Sequence, residues 1–185
     1  ASILDQLTQL AADSQQPQLL RLQALSTVAI ARSKAKLAPL ELTPDLMKFV
    51  CESLALDNPA SQRALAIDIL AGSKLSTRQL QTLADTLPDT GPMELKLLIA
   101  VFERSRNEAT GRMLVGGLLK SNAATGLDPQ QLREQLANFG ESTAEISEPL
   151  LRHIRQENEA KLARIEASLL KMDEADERRG QKIFH

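Results

Sequence analysis

The chain has almost no aromatic residues: of 185 residues, four are Phe and none is Trp or Tyr. Sandwiches and barrels draw on aromatic and β-branched side chains, so a core of Leu, Ala and Ile points instead to close-packed helices. The same scarcity removes the stacking platform on which single-stranded nucleic acid is held. A basic excess is missing too. The formal net charge is −2, which does not supply the field that nucleic-acid binding needs. Cys51 is the only cysteine, so no intramolecular disulfide can form and the redox compartment is not readable from bridges. No apolar run approaches the ~18 residues of a membrane span. No charged-then-apolar leader opens the sequence. It starts Ala1-Ser2-Ile3 without Met, as expected of a piece of a longer polypeptide.

What is present is 43% hydrophobic and 25% charged, in a chain long enough for one sizeable core. Its best-signalled stretch runs from Asp57 to Gly72. Pro59 suits a first helical position, Arg63, Ala66 and Leu70 follow at helical spacing, and Gly72 offers a stop. The pattern occurs twice more, as Pro17 with Arg21, Ala24 and Val28, and as Pro92 with Lys96, Ile99 and Glu103. In every copy a basic residue follows the Pro by four positions. An Asp (Asp13, Asp57 or Asp89) lies shortly before the Pro. A cation near a helix N-terminus opposes the helix dipole. Arg21, Arg63 and Lys96 are therefore expected to reach these Asp residues, or their counterparts in a neighbouring copy.

Other helix starts frame these three. Ser2 with Asp5, and Ser76 with Gln79, have the capping-box look. Thr43-Pro44, Asn107 and Asp128-Pro129 also read as starts, and Gly140 as a stop. The helix from Pro17 to Ser33 carries Leu19, Leu22, Ala29 and Ile30 and is expected to be well buried. Others are expected over Met93–Arg106, from Asn107 to about Lys120, and over Gln130–Asn138. Gly116-Gly117 inside one of them is expected to mark close helix–helix approach, a hinge being the other reading. Outer and inner helices would alternate, each pair burying its apolar face on its neighbours. The expected fold is all-α: an α-α superhelix of HEAT- or armadillo-like repeats over 1–140.

Residues 141–178 are expected to form one long helix from about Ser142 to Asp176, with a break possible at Pro149. Leu150, Leu151, Ile154, Leu162, Ile165, Leu169 and Met172 form its apolar stripe. Packing on the last repeats is the expectation for that stripe, and a coiled coil with Asn158 in the seam is the alternative. Glu148 with Arg152, Glu157 with Lys161, and Glu174 with Arg178 are i, i+4 pairs.

The chain ends Asp173-Glu-Ala-Asp-Glu-Arg178-Arg179-Gly180-Gln181-Lys182-Ile183-Phe184-His185. Acidic residues followed by Arg-Gly-Gln-x-Ile-Phe resemble the start of the cytochrome module in membrane-bound dehydrogenases that carry a c-type haem domain, as described from planctomycetes and verrucomicrobia. Gly111–Lys120 and the long helix leading into Arg179-Gly180 are similar to that family's helical linker. The resemblance implies a sugar-dehydrogenase-type propeller before these helices and a haem c domain after them, with residues 179–185 as its beginning. It also implies a periplasmic or membrane-associated parent protein. Haem c attachment needs Cys-x-x-Cys-His, which this chain does not contain, since Cys51 is followed by Glu-Ser-Leu. No cofactor is expected in the segment itself.

Nothing else in the sequence reads as a catalytic centre. His153 has Glu157 one turn on, but a solvated helical His is the simpler reading than a metal ligand. His185 is terminal, and by the resemblance the haem-ligating His lies beyond it. Cys51, among Phe49, Val50 and Leu54, reads as a buried inert thiol. Gly111-x4-Gly116-Gly117 lacks the Lys-Ser/Thr of a phosphate loop. The expected role is a soluble, non-catalytic scaffold or spacer joining a dehydrogenase-like domain to a cytochrome domain. Its expected partners are neighbouring domains of the same polypeptide, with another protein as a further candidate, and neither nucleic acid nor direct membrane insertion is expected. A free-standing HEAT-type adaptor with a peptide on its concave face is the alternative. A nucleic-acid enzyme or binder on such a scaffold is a weaker third. Pro17, Arg21, Pro59, Arg63, Pro92 and Lys96 are expected to be structural repeat positions.

Overall fold

The computed structural model describes the backbone of residues 2–183 and the side chains of residues 2–169. Within these bounds the chain is all-α. Its helices are α1 (Ile3–Ala12), α2 (Gln18–Lys34), α3 (Pro44–Glu52), α4 (Ala60–Gly72), α5 (Thr77–Thr86), α6 (Pro92–Phe102), α7 (Glu108–Leu118), α8 (Pro129–Ala137) and α9 (Glu141–Ile183). Short 3₁₀ turns follow α5, α6 and α7.

The capping chemistry sets several of these starts. The Ser2 hydroxyl accepts from the Asp5 N–H while the Asp5 carboxylate accepts from the Ser2 N–H, and Ser76 and Gln79 repeat the arrangement on α5. Thr43, Asn107 and Asp128 each accept from backbone N–H groups of the turn they open. The expected Met93–Arg106 helix is shorter, since α6 stops at Phe102 and Glu103–Ser105 tighten into a 3₁₀ turn.

α1 packs on α2 and α8 on α9, while between them helices pack chiefly on their second neighbours. α2 lies against α4 and α4 against α6; α3 lies against α5, α5 against α7, and α7 against α9. Small residues set the closeness. A Cβ added to Gly72 would stand 2.7 Å from the Ala29 Cβ across the α2–α4 contact. One added to Gly117 would stand 2.5 Å from the Ala84 carbonyl oxygen across α5–α7, whereas one on Gly116 would meet nothing within 4 Å. The Gly-Gly pair thus marks close approach at its second member alone.

One continuous aliphatic core runs from Ala11 through Leu22, Val50, Leu70, Leu98 and Leu114 to Ile154. α2 is less buried than its composition suggests: Leu19 and Ile30 are exposed while Leu22, Leu25 and Val28 are buried. Two loops also meet. The Leu40 N–H donates to the Gly72 carbonyl and the Lys74 N–H to the Leu40 carbonyl, at 3.3 and 2.9 Å, an isolated parallel bridge. Lys36 enters that loop at φ 53, in the left-handed region.

α9 is continuous through Pro149, with no break there. Its stripe divides. Leu150, Leu151 and Ile154 are buried against α7 and α8, while Leu162, Ile165 and Leu169 are 59%, 56% and 54% exposed. The expectation that the whole stripe packs on the repeats is therefore corrected. The Lys161 ammonium, bonded to the Thr125 carbonyl and hydroxyl, makes the last polar contact from the described side chains of α9 to another element. Met172, the Glu174–Arg178 pair, the side chains of the Arg179–Phe184 motif and His185 lie outside the described residues.

Candidate functional site

The three cations that follow Pro17, Pro59 and Pro92 by four positions do not act alike. The Arg63 guanidinium, from the first turns of α4, donates to the Asn58 carbonyl at 2.6 Å and more weakly to that of Leu56 at 3.4 Å. Its Nε donates to the Glu94 Oε1 on α6 at 2.7 Å. One side chain thus ties the α3–α4 turn, α4 and α6 together. Both partners of the ion pair are largely buried, at 17% and 10% side-chain exposure. Burial alone would raise the Glu94 pKa. The Arg63 hydrogen bond, the residue's own N–H and the Arg63 charge outweigh it and hold the carboxyl below its ordinary value. Gly91 leaves the room, because a Cβ there would collide with the Glu94 carboxylate.

Arg21 reaches backward instead. Its Nε donates to the Ala11 carbonyl at 2.8 Å, satisfying an orphan acceptor at the end of α1, and its guanidinium stacks 3.9 Å from the Phe49 ring centroid. Lys96 is exposed and makes no hydrogen bond or ion pair among the described residues. None of the three pairs with Asp13, Asp57 or Asp89. For Lys96, register explains the difference from Arg63. Pro17 and Pro59 are N-cap residues with ψ near 140°, but Pro92 is the first residue of α6, behind an N-cap Gly91. Relative to the helix start, Lys96 is displaced by one position, or about 100° around the axis. It cannot repeat the Arg63 geometry.

Glu94 is the residue that reading the sequence missed. Its available signal was an acid in the first turn of α6, two helices and 31 residues on from Arg63. The carbonyl partners carry no side-chain signal at all.

The other candidates stand apart from this cluster. Cys51 is buried, and burial pushes its thiol up to about 12, against a weaker lowering contribution from Thr86. His153 is exposed on α9, and no group of three or more metal-ligating residues comes together among the described residues. The long-helix ion pairs rearrange. Glu148 takes Arg133 of α8 at 2.8 Å and Arg155 at 3.9 Å in place of Arg152, and Lys161 takes Thr125 in place of Glu157. No helix among the described residues is long and apolar enough to cross a membrane.

A cleft of about 690 Å³ opens between the N-terminal halves of α3 and α5. Leu42, Met47 and Leu75 give it apolar walls. Lys48, Lys74 and Arg78 line it with three cations against one carboxylate, Glu41. The Gln79 amide, donating to the Leu42 carbonyl at 2.8 Å, braces it. Compared with known proteins, the chain matches no family model, no curated protein and no solved structure.

Proposed function

We propose that the chain is a non-catalytic, HEAT-like helical-repeat scaffold that holds flanking domains of a larger redox protein apart. The reading places a dehydrogenase-like domain before it and a c-type cytochrome domain after it, in a periplasmic or membrane-associated parent. One observation carries the spacer role. The 43-residue α9 begins packed on α7 and α8 and continues past Lys161, its last polar contact with another element among the described residues, toward Arg179-Gly180. At ~1.5 Å per residue it is about 65 Å long. Second-neighbour packing from α2 to α7 supports it, because each of these helices then buries its apolar face with help from the helix two places away.

Spin labels at Glu145 and Gln181 test the spacer. The buried Cys51 does not compete for them. A narrow distance distribution near about 54 Å is expected for an unbroken helix. A broad distribution at much shorter distance overturns the reading. The redox assignment is tested by reading the gene past His185. A Cys-x-x-Cys-His within about 20 residues is expected, and a stop codon there sinks it.

A further inference from the structure

We infer that two copies of this chain exchange their long helices, each laying the apolar and acidic stretch 162–177 of α9 into the cationic α3–α5 cleft of the other. This goes beyond the spacer reading and does not rest on it.

The two surfaces are complementary in character, and the cleft and Leu162–Leu169 have no partner among the described residues. In the cleft, Lys74 and Arg78 make no side-chain hydrogen bond or ion pair among the described residues. Lys48 has only a 3.8 Å contact to Glu52, with both side chains more than 60% exposed, which contributes almost nothing. Arg78 stands in the first turn of α5, where the helix dipole disfavours a cation and no anion compensates. The walls between these charges are Leu42, Met47 and Leu75, so the cleft asks for an apolar body edged with carboxylates.

The far end of α9 has that composition. Leu162, Ile165 and Leu169 follow at i, i+3 and i+7, share one face, and are all more than half exposed. That is the anchor spacing of an amphipathic helix in a groove. From Glu166 to Glu177 the sequence places Glu166, Asp173, Glu174, Asp176 and Glu177 against the single cation Lys171. A cleft of about 690 Å³ takes the side chains of a turn or two of such a helix. Leu162, Ile165 and Leu169 are not covered by any described part of their own chain, since they are more than half exposed. A second copy brings the matching apolar and charged surfaces together.

Sedimentation of the full chain tests this by charge exchange. The native protein is expected to pass from monomer to dimer as its concentration rises to about 200 μM. Lys74→Glu/Arg78→Glu and Asp173→Lys/Glu177→Lys, each confirmed as helical by circular dichroism, are each expected to weaken association by about tenfold or more. An equimolar mixture of the two variants restores it, because both exchanged contacts then join opposite charges. A native chain monomeric throughout overturns the proposal. So does a mixture that stays monomeric. So does a dimer indifferent to the cleft variant, which would pair the α9 stripes with each other as a coiled coil.

Discussion

Two stretches of α9 carry the same kind of stripe and meet opposite fates. Leu150, Leu151 and Ile154 are at most 1% exposed, while Leu162, Ile165 and Leu169 are over half exposed on the same unbroken helix. Helical period is the same in both, so it does not distinguish them. What differs is the neighbour. Leu150–Ile154 lie over α7 and α8, whereas past Lys161 no described element stands opposite. An apolar stripe chooses which face would be buried; only a partner decides whether it is.

The sharpest way to break this contrast is Ile154→Ala, which should cost about 3 kcal/mol through lost burial and a cavity. Urea unfolding at low protein concentration, where the chain is monomeric, reads the effect. A cost near zero would mean that the near end of α9 is not part of the core.

The same opposition holds for ion pairs. Glu94→Ala leaves Arg63 without its carboxylate at a largely buried site and should cost about 2–3 kcal/mol. Glu148→Ala, whose pair with Arg133 is 41–45% exposed, should cost under about 1 kcal/mol. A ratio close to one in the two unfolding experiments would remove the distinction between body and surface.

The Glu94 pair also has a pH signature. Burial pushes the carboxyl up, but the Arg63 hydrogen bond, the residue's own N–H and the Arg63 charge together hold it below its ordinary 4.5. As pH falls, the unfolded chain takes up this proton first. The stability from Glu94 is therefore fully present above pH 4.5 and lost as pH drops below it through the folded value. Glu94→Gln should flatten that part of the stability curve in acid titrations followed by circular dichroism.

Gly117→Ala should cost about 1–2 kcal/mol by pressing on the Ala84 carbonyl. Gly116→Ala, with open space around it, should instead stabilise by up to ~1 kcal/mol through helix propensity. Thermal melts of the two variants should move in opposite directions. The smallest effect is Ile165→Ala, within about 0.5 kcal/mol for the monomer. A larger loss at low concentration would show the far end of α9 packed on its own body.

Much of the helical plan was legible because its signals are local. Ser2/Asp5, Ser76/Gln79, Thr43 and Asp128 are side chains that satisfy backbone N–H groups within three residues, so their meaning travels with the sequence. The candidate site was legible only in part. Arg21 and Arg63 were marked by an otherwise unfavourable cation near a helix start, but their partners are the Ala11 and Asn58 carbonyls and a Glu 31 residues away. Backbone carbonyls are the same at every position and leave no trace in residue identity. Lys96 shared the motif and not the geometry, because a one-residue shift in where α6 begins turns the side chain to another direction.

Composition and period therefore determined, without coordinates, that this chain is helical, aliphatic-cored and capped where it is. Tertiary structure alone decided that Arg63 joins α4 to α6 through Glu94, that Gly117 and not Gly116 admits a neighbour, and that α9 buries Leu150, Leu151 and Ile154 but leaves Leu162, Ile165 and Leu169 exposed. Local signals act over three or four residues. Burial and ion pairing depend on which distant surface arrives opposite, and that is a property of the packed chain.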